Sequence, residues 1–356
     1  PISFEGTAAL STDGRYFTQA VDELDFNWIL LKQGAKDEPT WKEWTIKQAV
    51  QLSLDSGSTV RIGVDPTLIT YKLYKEFQSI LDKELAKNEK VKIEFTAVKE
   101  NLINKIWEQF EELPSRNFGE IKSLDINFTG RNVQDKLADV KKHLTGDIKG
   151  IVISALDEVA WLLNLRGLDI QYNPVFYSFV ILTEESTTLY IGENRLLEDI
   201  VESLKTAGIT IEPYESFYSS LTTVSTKLSE SNKKFYIPDN ANWEVVRNLK
   251  CEISQGLSPV EELKAIKNNV ELEGAKIAHL KDGRALIKFF AWLEEQVIEK
   301  QELIDEIEAD EKLTEFKQQE DNFVGLSFDT ISATGANGAV IHYKPTKGQC
   351  STINPR

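Results

Sequence analysis

Methionine is missing altogether from this chain of 356 residues, an odd lack for a translated protein of this length. Cysteine is almost as scarce. Cys251 and Cys350 lie far apart with no metal-type spacing, which excludes a disulfide framework and fits free thiols in a reducing compartment. No apolar run approaches the roughly 20 residues a bilayer-spanning helix needs, so no membrane span is expected. Positive charge is short as well: 41 Lys and Arg stand against 57 Asp and Glu, for a net charge of −16. A field of that sign repels phosphate backbones, and the only adjacent lysines, such as Lys141-Lys142 and Lys233-Lys234, are isolated pairs. Nucleic acid is therefore not an expected partner. No signal-peptide pattern is present, although the chain opens at Pro1 in mid-pattern, so the true N-terminus is expected to lie upstream.

What is present is ordinary for a soluble globular protein: 41% hydrophobic and 28% charged residues. The length predicts two or three domains, each with its own core. Strand and helix periods alternate through the first hundred residues. Strands are predicted at Thr7 to Leu10, Asn27 to Leu31, Val60 to Val64 and Ile93 to Val98. Helices are predicted at Arg15 to Leu24, Pro39 to Leu52 (capped by Thr40) and Leu68 to Leu81. The pattern breaks at Leu113-Pro114-Ser115, a linker by composition. A second α/β stretch follows, with strands at Gly150 to Ala155, Val175 to Leu182, Thr187 to Ile191, Thr210 to Pro213 and Phe235 to Pro238. RIGVDPTLIT and FYIPDNANWE each run strand, aspartate, polar turn, helix, so the two stretches read as diverged copies of one fold.

From Ser258-Pro259 the character changes to long helices. Ser258 with Glu261 reads as a capping box, and Ala278, Ala285, Phe289, Trp292 and Leu293 are predicted to form an inner face. Asp157 reads as a helix N-cap, and Glu158 as a first-turn acid. His143 reads as a charge near a helix C-terminus, and His279 as a structural residue. Near the end, Ser327 to Ser332 and Ala339 to Tyr343 flank the turn-forming tract Thr334-Gly335-Ala336-Asn337-Gly338, a hairpin signal. His342 would then sit where a strand leaves the sheet, the usual place for a side chain that meets a ligand, although a lone strand histidine is more often a structural residue.

That hairpin, STDGRYFTQA at Ser11 to Ala20 and LDEVAWLLNLRGLDIQYNPVFYSF at Leu156 to Phe179 together resemble the cytosolic, three-domain X-prolyl aminopeptidases, the pita-bread metallopeptidases. The resemblance runs end to end. It implies an α/β chain of two tandem creatinase-N-terminal-like domains, each a mixed sheet flanked by helices, at 1–113 and 114–257. The start of a pita-bread α+β catalytic domain follows at 258–356. It implies removal of the N-terminal residue from peptides with proline second, in a cytoplasmic homodimer. It also implies two divalent ions, commonly manganese, held by residues beyond Arg356, with no metal ligand in this chain. His342 matches the family's substrate-contacting histidine and is the expected catalytic residue. Arg15 matches an arginine that reaches the substrate pocket; pairing with Asp13 is the competing reading. Phe328 would wall the same pocket or pack into the core. A non-catalytic relative working as an interaction protein, for example in iron-responsive gene control, is the alternative, and a creatinase-like hydrolase a weaker third.

Overall fold

The computed structural model describes residues 8–354, so Thr7, the first residue of the first expected strand, lies outside them. The chain begins β1 (Ala8–Thr12), α1 (Phe17–Glu23), β2 (Trp28–Lys32), α2 (Trp41–Ser56), β3 (Val60–Val64), α3 (Tyr71–Lys87), β4 (Ile93–Ala97). β1 pairs with β2, and β3 with β4, both in parallel. Thr40 caps α2 in a reciprocal capping box with Glu43, and Gly57 closes the helix at φ +65°, a backbone state that costs a side chain-bearing residue energy. Ile46, Ile62, Phe77, Leu81 and Ile93 fill the space between these helices and strands. A short helix the sequence did not reveal, α4 (Leu102–Trp107), precedes the linker, with Asn101 as its cap.

The second unit contains β5 (Lys122–Ser123), α5 (Ile126–Thr129), α6 (Val133–Lys141), β6 (Ile148–Ile153), α7 (Leu156–Leu162), β7 (Leu165–Arg166), β8 (Ser178–Thr183) and β9 (Thr187–Ile191). It continues through α8 (Glu198–Thr206), β10 (Ile209–Pro213), α9 (Phe217–Glu230), β11 (Lys234–Pro238), α10 (Trp243–Asn248) and β12 (Ile253–Gly256). Six strands form one mixed sheet in the order β10-β9-β8-β6-β11-β12, with β8 antiparallel to both its neighbours. Successive β6 side chains take opposite faces: Ile151 and Ile153 join one buried cluster, Val152 the other. Helices cover both faces, so the second half of the strand, Ile151 to Ile153, is an unbroken apolar run. Asp169, whose side chain is fully buried, receives Arg195 Nη2 at 2.7 Å and the backbone N–H groups of Gly119 and Tyr177 at 3.0 and 2.9 Å. Arg195 lies ahead of α8 and ties the segment after the linker to the loop after β7.

The two units meet through the segments that follow β3 and β11. Thr70 bridges Asn242 in antiparallel fashion, Tyr71 N–H donates to the Ala241 carbonyl, and Trp243 N–H to that of Ile69, each at 2.8 Å. Tyr74 stacks on Trp243 at 4.1 Å between centroids.

Helices α11 (Pro259–Ala265), α12 (Asn269–Glu294) and α13 (Glu306–Gln318) follow, with a π-helical turn at Glu295–Glu299. Phe289 packs against Ala309 and Leu313 as a small core, and Ala285 is buried as well. Ala278, expected inward, is exposed together with His279, because only the second half of α12 has a packing neighbour in α13. Two further capping expectations are corrected. Ala155, not Asp157, occupies the N-cap of α7, and Asp157 pairs with Lys264. Ser258 does accept from Val260 N–H, but its hydroxyl donates to buried Glu158 at 2.6 Å, so no capping box with Glu261 forms. Burial pushes the Glu158 carboxyl above its usual range, and the Ser258 hydrogen bond partly offsets this. His143 lies in the turn just past α6 and is exposed.

Candidate functional site

The beginning and end of the chain come together at one surface. Between β1 and α1, Asp13 carries the turn: it accepts from Arg15 N–H at 3.1 Å, and its two carboxylate oxygens take Arg15 Nε and Nη2, each at 2.9 Å. This fork geometry holds the Asp13 carboxyl at about 2 and raises the Arg15 guanidinium further above its already high range. Of the two readings open for Arg15, this conformation takes the pairing with Asp13. Arg15 also lies over the ring of Tyr16, 5.4 Å from its centroid.

Tyr16 reaches across to the other end of the chain. Its hydroxyl lies 2.7 Å from His342 Nδ1, a contact between residues 326 positions apart. Phe328 flanks the imidazole at 5.4 Å between centroids, tilted by 59°. It stays half exposed, so it walls this surface and is not buried in the core.

The hairpin expected around His342 is not formed. No strand is assigned within 327–345; Gly335–Ala339 makes a 3₁₀ turn, and His342 takes φ +56°. A two-stranded hairpin alone is marginal in water, and among the described residues no third strand backs this one. Positive φ falls on Gly335, not on the Asn337-Gly338 pair, because Asn337 is engaged elsewhere.

That engagement is with Glu306, the first residue of α13 and completely buried. Its carboxylate accepts from Thr334 N–H at 2.7 Å, Tyr343 Oη at 2.7 Å, Ser351 N–H at 2.9 Å and Asn337 Nδ2 at 3.0 Å. Loss of solvent pushes the Glu306 carboxyl up, but these donors outweigh it and bring it down to about 2, while the Tyr343 phenol rises to about 12. One carboxylate therefore sets the path of the segment that presents His342. Asp329 adds a second tie. It accepts from Tyr172, on the loop of the second unit, and pairs with Lys344 at 2.9 Å. Those donors lower its carboxyl.

Sequence reasoning singled out Arg15 and His342, and both lie at this surface. It gave no role to Tyr16, within the helix expected at Arg15 to Leu24, and it did not identify Glu306; a lone glutamate at a helix start gives no sign of the loop it will anchor. Among the described residues no group of three or more His, Cys, Asp or Glu side chains is placed to hold a metal ion, so no step through a metal is assigned to them. No helix among them is long and apolar enough to cross a membrane.

Two family profiles match the chain: the Creatinase/Prolidase N-terminal domain over residues 112–271, and Metallopeptidase family M24 over 273–355. A protein of Pyrenophora tritici-repentis described as a probable Xaa-Pro aminopeptidase P is 44% identical over 358 residues, covering 98% of this chain and 57% of the relative. A Sordaria macrospora protein with the same description is 42% identical, with 98% and 56% coverage. A solved structure of the Caenorhabditis elegans X-prolyl aminopeptidase, described as a cytosolic enzyme with a di-nuclear active site, superposes with a TM-score of 0.85 at 30% identity. It covers 98% of this chain and 55% of that one. The chain thus spans a little over half the length of these relatives. Within that span it carries a creatinase/prolidase-type N-terminal region and the first part of an M24 metallopeptidase domain, and is similar along nearly its whole length to X-prolyl aminopeptidases.

Proposed function

We propose that the whole protein is a metal-dependent aminopeptidase that removes the N-terminal residue from peptides with proline in the second position. The observation that carries this is the close backbone match to the nematode enzyme over nearly the entire chain. The names borne by the fungal relatives support an enzyme over a non-catalytic regulator. On this reading residues 1–113 and 114–257 are two creatinase-type domains, and 258–356 open the catalytic domain. Two divalent ions, manganese by choice, would be held by residues after Arg356, activating a water and polarising the scissile carbonyl. The protein would work as a cytoplasmic homodimer on small peptides.

In this scheme His342 is the catalytic donor, hydrogen-bonding the carbonyl oxygen as charge develops on it. Arg15 would bind substrate, and the Asp13 carboxylate would hold its guanidinium in place until a peptide carboxylate or carbonyl competes for it. The test is cleavage of an Arg-Pro-Pro peptide by the full-length protein with added manganese. His342→Gln should lower kcat by about 10²–10³. Arg15→Ala should act chiefly on KM. A full-length protein that binds two ions yet leaves the peptide intact would refute the proposal. Residues 1–356 alone are expected to cleave nothing.

A further inference from the structure

We propose that Tyr16 is a positioning residue for His342: its phenol donates to Nδ1 and so selects the imidazole tautomer that carries its proton on Nε2. This inference rests on the aminopeptidase reading above. The geometry is a 2.7 Å contact from Tyr16 Oη to Nδ1. A neutral imidazole has one N–H and one lone pair, and the partner of one nitrogen decides the state of the other. A phenol that donates to Nδ1 leaves the proton on Nε2, across the ring from Tyr16, where it can donate to a carbonyl oxygen. A phenol that accepts from Nδ1–H would leave Nε2 a bare acceptor, unable to stabilise an oxyanion.

Three further observations converge on the same ring. Phe328 sits against the imidazole and limits its rotation. The Arg15 guanidinium, locked by Asp13, lies over the Tyr16 ring and restrains the phenol in turn. His342 itself takes φ +56°, a left-handed conformation that persists in a non-glycine residue where surrounding contacts enforce it. The restraint therefore runs from Asp13 through Arg15 and Tyr16 to His342, joining the first structural turn of the chain to a side chain near its other end.

In the full-length protein, ¹⁵N-histidine labelling with long-range ¹H–¹⁵N correlation reads the ring nitrogens, and loss of one pair of signals in His342→Gln assigns those of His342. The expected wild-type result is a His342 Nδ1 resonance of the lone-pair type and an Nε2 resonance of the protonated type. Tyr16→Phe, which keeps the ring and removes the hydroxyl, should move both toward a tautomer mixture while His143 and His279 stay unchanged. In the full-length, metal-loaded protein the same substitution should lower kcat about tenfold with KM nearly constant, the scale of an outer-layer partner. A wild-type His342 found with its proton on Nδ1, or the same tautomer in both proteins, overturns the proposal without touching the peptidase assignment. A full-length protein without peptidase activity overturns the assignment, and the catalytic meaning of the tautomer with it.

Discussion

Tyr343 donates its phenol to Glu306 across 2.7 Å while its neighbour His342 faces Tyr16. Adjacent side chains thus point in opposite directions, one into a buried anchor and one to the surface. The anchor fixes where the imidazole sits.

Glu306→Gln should therefore destabilise the last fifty residues. An amide cannot accept from four donors as a carboxylate does, and a loss of about 3 kcal/mol is expected, read as a lower urea midpoint. The pH dependence has a defined sign. Because the folded carboxyl sits at about 2 instead of its ordinary 4.5, its stabilisation is full above 4.5 and disappears as pH falls through 2. The variant should lack that acid-range loss.

Lys136 gives the opposite case. Its side chain is buried, with Nζ donating to the Trp161 carbonyl at 2.8 Å and Asn164 Oδ1 at 2.7 Å, 4.0 Å from the Trp161 ring centroid. Burial pushes the ammonium down to about 8 from 10.5. Between those values the unfolded chain binds the extra proton, so stability rises with pH across that window and is lost as pH falls through 8. Unfolding of Lys136→Met against wild type at both ends of the window should show a difference that grows by at most about 3 kcal/mol.

Asp169→Asn should be costly throughout the folded range. It leaves Arg195, itself nearly buried, without a counter-charge and puts an amide against two backbone donors. A loss of about 3–5 kcal/mol is expected, measured by thermal or denaturant unfolding. Arg195→Met with Asp169→Asn should cost less than the two singles combined.

Trp243→Ala should loosen the joint between the two α/β copies. It removes the stack on Tyr74 and should cost about 2–3 kcal/mol. Hydrogen exchange should quicken at Tyr71 and Trp243, whose amides bond across the joint.

The alternation of periods made most of the fold legible. Thr187 to Ile191 matches β9 residue for residue, and Thr40 caps α2 as composition suggested. What was hidden shares one physical cause, since local signals do not report distant partners. Asn337-Gly338 favours a tight turn in isolation, but Glu306, 31 residues away, claims the asparagine side chain. Asp157 is a good cap by type, yet the helix starts two residues earlier, with Ala155 at its N-cap. The motif put forward His342 and Arg15 as candidates, and the fold brings both to one surface. Tyr16 was not among them, because an aromatic at helical spacing looks like packing until the fold brings residue 342 to it.

The meeting of the two copies has one more implication. The offset that carries Asp65 onto Asp239 also carries Ile69 onto Trp243, and those two residues share a backbone hydrogen bond at the joint. A contact in which equivalent positions face each other antiparallel is isologous, the form two identical subunits adopt about a dyad. At this joint only the backbone follows that form: the position equivalent to Tyr74 is Asn248, so the aromatic stack with Trp243 has no counterpart on the other side, and the joint is two-fold in its main chain but one-sided in its side chains.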